Sequence, residues 1–189
     1  MTYKEITEIR TEWEKCTSCP LGEQRKKNNE DICIGSGLIT PQMIIIIPKP
    51  RFQKDQVMVP YGDYYPKLKA IMEKSNVDIM STYILPTIAC KTVDAITQES
   101  ILSCNIRIKQ LIYLLDPYKV VLMGPESYFA FTGFIPSKKD MGKWVDNANR
   151  SVFYTYDLER FDLEKDQDLK KEMAADILTH WKLIGNTTD

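Results

Sequence analysis

The sequence predicts an α/β fold, a three-layer sandwich around a central, mainly parallel four-stranded sheet. Three observations predict it. The first is Met43-Ile44-Ile45-Ile46-Ile47, a short unbroken apolar run of the kind expected for a strand buried on both faces. The second is that similar runs recur at residues 82–88, 120–123 and 152–156, with segments of helical period between them. Strands alternating with helices imply a largely parallel sheet covered on both faces. The third is length. A chain of 189 residues most simply makes one domain, residues 1–189, able to bury a substantial core without disulfides.

Taken in order, residues 2–15 read as a helix, and residues 35–41 are a turn-rich stretch leading into the first strand. Residues 65–74 read as the next helix. Residues 82–88 are a second strand despite Pro86, which lacks a ladder donor and should bend the strand or place it at an edge. The best-supported helix covers residues 99–115, with Thr97 as its N-cap and Asp116-Pro117 as its stop. Residues 120–123 followed by Gly124-Pro125 give a third strand and turn, residues 126–131 a short helix ended at Gly133, and residues 152–156 a fourth strand. An amphipathic helix closes the chain over residues 168–183, with Leu169, Met173, Ile177 and Ile184 on one stripe and Gly185 beyond it. In open sheets of this type ligands sit beyond the carboxyl ends of the strands. That rule nominates the loops at residues 48–63, 89–97, 124–125 and 157–160.

Composition excludes several classes. Hydrophobic residues at 43% and charged residues at 27% are ordinary for a globular protein, and no apolar run approaches the length of a membrane span. The start, Met1-Thr2-Tyr3-Lys4-Glu5, has no signal-peptide character, so a cytoplasmic, reducing location and no membrane partner are expected. There, cysteines bind metal or stay free rather than form disulfides. With 25 basic against 26 acidic side chains the molecule has no field to gather nucleic acid, so any such binding is local. Basic residues cluster at Arg25-Lys26-Lys27, at Lys49-Pro50-Arg51 with Lys54, and at Lys138-Lys139 with Lys143; each is more often a solvated face than a binding patch.

Four of the five cysteines have spacing that suggests chemistry. Cys16 and Cys19 form a close pair, and Cys90 and Cys104 follow singly. Structural zinc with four thiolates usually takes two close pairs, whereas an iron–sulfur cluster tolerates scattered ligands and so suits this spacing better; zinc is the alternative. Cysteine also fills cores as a small hydrophobe. Cys33, in Ile32-Cys33-Ile34, reads that way, and Cys104 shares a stripe with Ile101, Ile108, Leu111 and Leu115 that a core role alone would satisfy. Cys16-Thr17-Ser18-Cys19-Pro20 lies among turn-forming residues, where nothing asks for two small hydrophobes.

Cys16-x2-Cys19-Pro20-Leu21-Gly22, then Arg25, then Gly35-Ser36-Gly37 before an apolar strand, resembles the opening of the family-4 uracil-DNA glycosylases, which carry a 4Fe-4S cluster. The strand from Tyr83 to Cys90-Lys91, and Glu99, Cys104, Gln110, Pro117, Val120-Val121 and Leu122-Met123-Gly124, continue the resemblance toward the final helix. It implies a uracil-DNA glycosylase-like fold with Cys16, Cys19, Cys90 and Cys104 as cluster ligands.

The family's catalytic positions are not kept. Its Gly-Glu-x-Pro-Gly loop is replaced by Ile47-Pro48-Lys49-Pro50-Arg51, without the carboxylate. Its uracil-reading asparagine aligns with Pro86, whose side chain has no donor or acceptor, and its histidine at the end of the fourth strand aligns with Asp157. A carboxylate beside a developing anion repels it. Tyr61 stands where the family stacks a phenylalanine on the base, or else packs against the sheet edge; His180, the only histidine, reads as a surface or packing residue.

No catalytic residue is therefore assigned. The expected function is a DNA- or protein-binding module of replication or repair that has lost base excision, with Lys49, Arg51, Tyr61, Lys138 and Lys139 as candidate DNA contacts. The alternative is an active glycosylase with altered base specificity, in which Asp55, Asp63, Asp157 or Glu159 activates water. A third reading is an interaction protein that never meets DNA and presents Tyr61, Tyr64 and Tyr65 to a protein partner.

Overall fold

The run Met43–Ile47 forms a strand in which every residue is buried, and the rest of the main sheet is built outward from it. The structure, a computed structural model, describes residues 3–52, 58–59, 61–92, 95–147 and 149–186. Among these are seven helices: α1 (Tyr3–Trp13), α2 (Pro20–Lys27), α3 (Tyr65–Lys74), α4 (Gln98–Leu115), α5 (Pro125–Thr132), α6 (Leu158–Leu163) and α7 (Gln167–Gly185). The strands are β1 (Ser36–Gly37), β2 (Met43–Ile47), β3 (Arg51–Phe52), β4 (Met58–Val59), β5 (Thr82–Pro86), β6 (Lys119–Met123), β7 (Trp144–Asn147) and β8 (Arg150–Thr155).

The protein is α/β with a six-stranded mixed sheet in the order β1-β5-β2-β6-β8-β7. The sequence leads to four strands; two more are present, β1 and β7, each antiparallel to its neighbour at one end of the sheet. Between them, β5, β2, β6 and β8 pair in parallel. Neither added strand carries an apolar pattern. β1 has two exposed residues, and β7 is exposed from Val145 onward. A separate two-stranded ribbon, β3 with β4, stands in the loop after β2.

The pleat divides the core. Ile44, Ile46, Leu85, Val120, Leu122 and Tyr154 face one side, where they pack with Trp13 of α1, Ile108 and Leu111 of α4 and Ala130 of α5. Met43, Ile45, Ile47, Val121, Met123 and Phe153 face the other, against Leu68 and Met72 of α3 and Ile177 and Trp181 of α7. Helices therefore cover both faces of the sheet. Pro86 sits inside the sheet order, between β1 and β2, rather than at an edge. N–H groups alternate sides along a strand, and Thr87 donates to Ile47 O at 2.6 Å, so the missing donor of Pro86 points toward the β1 side. The two residues of β1 pair with Tyr83 and Ile84 and do not reach it. No ladder bond is lost.

Helix ends follow local chemistry. Thr97 caps α4, its hydroxyl accepting from Ser100 N at 3.2 Å, and Asp116 closes the helix in a left-handed conformation. Asp166 caps α7, which runs through Gly185 rather than stopping before it. Among the described residues no helix is long and apolar enough to cross a membrane.

Candidate metal centre

The four spaced cysteines come from three parts of the fold. Cys16 follows α1, Cys19 is the N-cap of α2 with Pro20 at the first helical position, Cys90 lies beyond β5, and Cys104 is on the buried face of α4. Cys19, Cys90 and Cys104 are buried and Cys16 is half-buried. Side-chain and backbone contacts tie these segments together. Ser103 Oγ donates to Ser18 O at 3.0 Å, joining α4 to the loop between the paired cysteines. Trp13 Nε1 donates to Gln110 Oε1 at 2.8 Å, joining α1 to α4. The first turn of α2 lies so close to Cys16 that a Cβ at Gly22 would stand 3.0 Å from the Cys16 carbonyl oxygen, which gives Gly22 a packing reason in Cys-Pro-Leu-Gly.

The thiols also act on one another. Burial pushes Cys90 up to about 11; the charges of Cys104 and Cys19 add to the rise, and Arg25 opposes it. Burial likewise raises Cys104, with Cys19 and Cys16 adding to the effect while Arg107 and a backbone hydrogen bond from Ala89 oppose it. The Ala89 backbone, next to Cys90, hydrogen-bonds the Cys104 thiol, and Ser103 bonds the loop between Cys16 and Cys19, so the segments that carry the four thiols adjoin. Cys33 stands apart. It is buried, its thiol is raised by burial, and the side-chain charges acting on it are Arg107 and Arg10 rather than other cysteines. It fills core volume, as its sequence context suggests.

Two arginines enclose this neighbourhood. Arg25 is 4% exposed and gives Nη2 to Glu14 O (2.8 Å) and Cys16 O (3.1 Å) and Nη1 to Glu30 O (3.3 Å), while its Nε has no partner. Arg107 is fully buried and gives Nη2 to Pro86 O (2.5 Å) and Thr87 O (3.1 Å), while Nε and Nη1 have no partner. Neither forms an ion pair with a carboxylate among the described residues. A guanidinium cannot escape burial by losing its proton, so two such groups mark a place suited to negative charge. Four thiols that ionise on binding metal would supply it. Among the described residues, however, no three His, Cys, Asp or Glu side chains are placed to hold a single metal ion.

A second cluster forms at the carboxyl ends of the strands, where all four nominated loops meet. Asp157, 5% exposed, caps α6 by accepting from Glu159 N at 3.2 Å, and its other oxygen accepts from the Tyr61 hydroxyl at 3.3 Å. Burial pushes its carboxyl up to about 6, and Glu159 adds to this; Arg51, the Arg160 backbone and Tyr61 hold it down. Arg51 pairs closely with Glu159, reaches Asp157 at 3.8 Å and lies 4.9 Å over the Tyr64 ring. Lys49 pairs with Glu159 at 3.7 Å. A cavity of about 230 Å³ opens here, lined among others by Pro48, Lys49, Pro125, Asp157, Glu159 and Arg160. A neighbouring cavity of about 270 Å³ shares Pro125, Asp157 and Arg160 and adds Lys138 and Tyr156.

The candidate DNA contacts thus have different fates. Lys49 and Arg51 have their charges met by carboxylates. Tyr61 is buried and presents no face for stacking on a base. Lys138 pairs with Glu172 and Lys139 is exposed. Arg25, read with Lys26 and Lys27 as a surface cluster, turns inward instead. Of the candidate water-activating groups, Asp157 and Glu159 lie in the cluster, Asp63 is exposed, and Asp55, like Lys54, lies outside the described residues. His180 packs between Phe153 and Tyr156, and its Nδ1 lies 2.9 Å from Thr155 Oγ1. Sequence reasoning missed Arg107, which sits on the buried face of α4 where its spacing resembled that of any helical arginine. No family model matches the chain, and no curated protein matches it.

Proposed function

We propose that the chain is a divergent relative of the family-4 uracil-DNA glycosylases, a three-layer sandwich in which Cys16, Cys19, Cys90 and Cys104 hold a 4Fe-4S cluster. In this reading it has lost base excision and serves as a binding module in DNA replication or repair. The observation that carries the reading is that the segments bearing these four cysteines adjoin beside two buried arginines that lack carboxylate partners and bond the backbone of those segments. Zinc is the alternative metal. It needs thiolates about 2.3 Å from one ion, hence within about 4 Å of each other. A cluster tolerates scattered ligands, which accords better with one close pair and two single cysteines.

Loss of excision is supported by the strand ends. Asp157, which aligns with the histidine of the resembled family, is a buried carboxylate, and Arg51 and Lys49 are engaged by Glu159 and Asp157. Duplex binding draws its affinity from cations that neutralise phosphates. With Lys49, Arg51 and Lys138 paired internally, a protein partner accords better than a DNA backbone.

One observation favours the second reading, an altered enzyme. Asp157 borders both cavities with a carboxyl raised to about 6, a property shared with general acids and bases. Incubation with duplexes carrying uracil, hypoxanthine or other altered bases separates the two. The binding-module reading expects no base release above background, and duplex affinity no tighter than the ~10⁻⁴–10⁻⁶ M of non-specific binding at physiological salt. Release that disappears in Asp157→Asn would replace it with the enzyme reading. Tight, steeply salt-dependent binding that is lost in a Lys49→Ala, Arg51→Ala double variant would restore DNA as the partner.

A further inference from the structure

We propose that Arg107, together with Arg25, is the built-in counter-charge of the cysteine centre, and that Arg107 sets how readily the centre accepts an electron. The inference rests on the proposed ligation by Cys16, Cys19, Cys90 and Cys104, and adds to it a role for residues that touch no metal.

Arg107 follows Cys104 by one helical turn on α4, so guanidinium and thiol share the buried face of the helix. Its Nη2 holds the carbonyls of Pro86 and Thr87, at the end of the strand whose continuation carries Cys90. One side chain therefore braces two of the ligand segments. Arg25 does the same for the remaining ligands by fixing the Glu14 and Cys16 carbonyls from within α2. Hydrogen bonds to carbonyls satisfy donors but leave the charges unbalanced. An isolated buried cation carries a desolvation penalty that an apolar group of similar size does not, whereas removing one partner of a buried pair is strongly destabilising.

An oxidised four-iron, four-sulfide core bound by four thiolates has a net charge of about −2, and one added electron makes it more negative. Two fixed guanidinium groups offset that charge. Removing one disfavours the reduced form more than the oxidised form, so the potential falls.

The test compares wild type, Arg107→Met and Arg107→Lys, all purified without oxygen with the centre in place. Arg107→Met is expected to lower the reduced-to-oxidised ratio at a fixed poise about tenfold, a midpoint shift of about 59 mV toward negative values for one electron. Arg107→Lys, which keeps the charge but not the twin hydrogen bonds, is expected to stay near wild type. Stripping the metal with a chelator should invert the stability order: Arg107→Met melts below wild type when loaded, and level with or above it when stripped. If the stripped wild type is unfolded, the potential decides alone.

An unchanged potential with equal losses of stability, loaded and stripped, would make Arg107 a packing residue and overturn the proposal. If Arg107→Met does not fold, a lysine variant that loads metal at the wild-type potential supports the charge role; one that fails to load or shifts like a neutral variant overturns it. A wild-type protein that takes up neither iron nor zinc would instead sink the ligation itself, an outcome visible before any variant is made.

Discussion

Replacing Cys104 or Cys16 with serine is expected to abolish iron retention and visible colour and to lower the melting temperature by about 10–15 °C, while Cys33→Ser leaves iron content unchanged. The contrast follows from position. Cys16 and Cys104 lie on segments joined by the hydrogen bond from Ser103 to Ser18, whereas Cys33 lies between Ile32 and Ile34 as a core residue. A centre that joins Cys16 to Cys104 closes a long stretch of chain. On the scale of a disulfide closing a loop of this size, the restraint on the unfolded state contributes about 4–5 kcal/mol. For a chain of this length each kcal/mol corresponds to about 2–4 °C. Serine offers an alkoxide donor far weaker than a thiolate at neutral pH, so the loss falls on ligation more than on packing. Iron and sulfide analysis with a thermal melt checks all three variants. Equal iron in Cys104→Ser and Cys33→Ser would remove Cys104 from the ligand set.

The second large effect lies at the other cluster. Asp157→Asn is expected to be more stable than wild type at neutral pH and to lose that advantage in acid. The ordinary Asp value is 3.8 and the folded carboxyl titrates at about 6. Below about pH 4 the group is protonated in both states and contributes nothing unfavourable. As pH rises toward 6, the unfolded chain ionises while the folded one keeps its proton, so wild-type stability falls; above 6 the full loss persists. A span of about two pH units amounts to roughly 3 kcal/mol. Asparagine caps a helix as well as aspartate, so α6 keeps its start, and Arg51 keeps Glu159 as partner. Urea unfolding from pH 4 to pH 8 gives the profile. A variant less stable than wild type at pH 7 would mean that the contact between Arg51 and Asp157 outweighs the burial of the carboxylate.

Much of the frame was legible in the residues. The apolar run at Met43–Ile47, the cap at Thr97 and the stop at Asp116-Pro117 each rest on a local preference that the fold obeys. The short edge strands were not, because β1 is two exposed residues and β7 is mostly exposed, and neither leaves a hydrophobic period to read. α2 did carry a signal, a proline directly after Cys19, which favours the first position of a helix. At the site, the spacing singled out four cysteines whose segments adjoin in the fold, yet the arginines around them were invisible. Arg25 looked like part of a basic surface run and turns inward; Arg107 lies on an apolar face where sequence offers no sign of what it meets. The pairing of Lys49 and Arg51 with Glu159 was hidden for a different reason. It joins residues more than a hundred positions apart, and only the convergence of the loops after β2 and β8 creates it.

The most direct measurement is elemental: iron and acid-labile sulfide per chain, with a visible spectrum, on wild-type protein purified without oxygen. The account predicts a brown protein with close to four irons and four sulfides per chain. A colourless protein without iron, or one holding a single zinc, would contradict it.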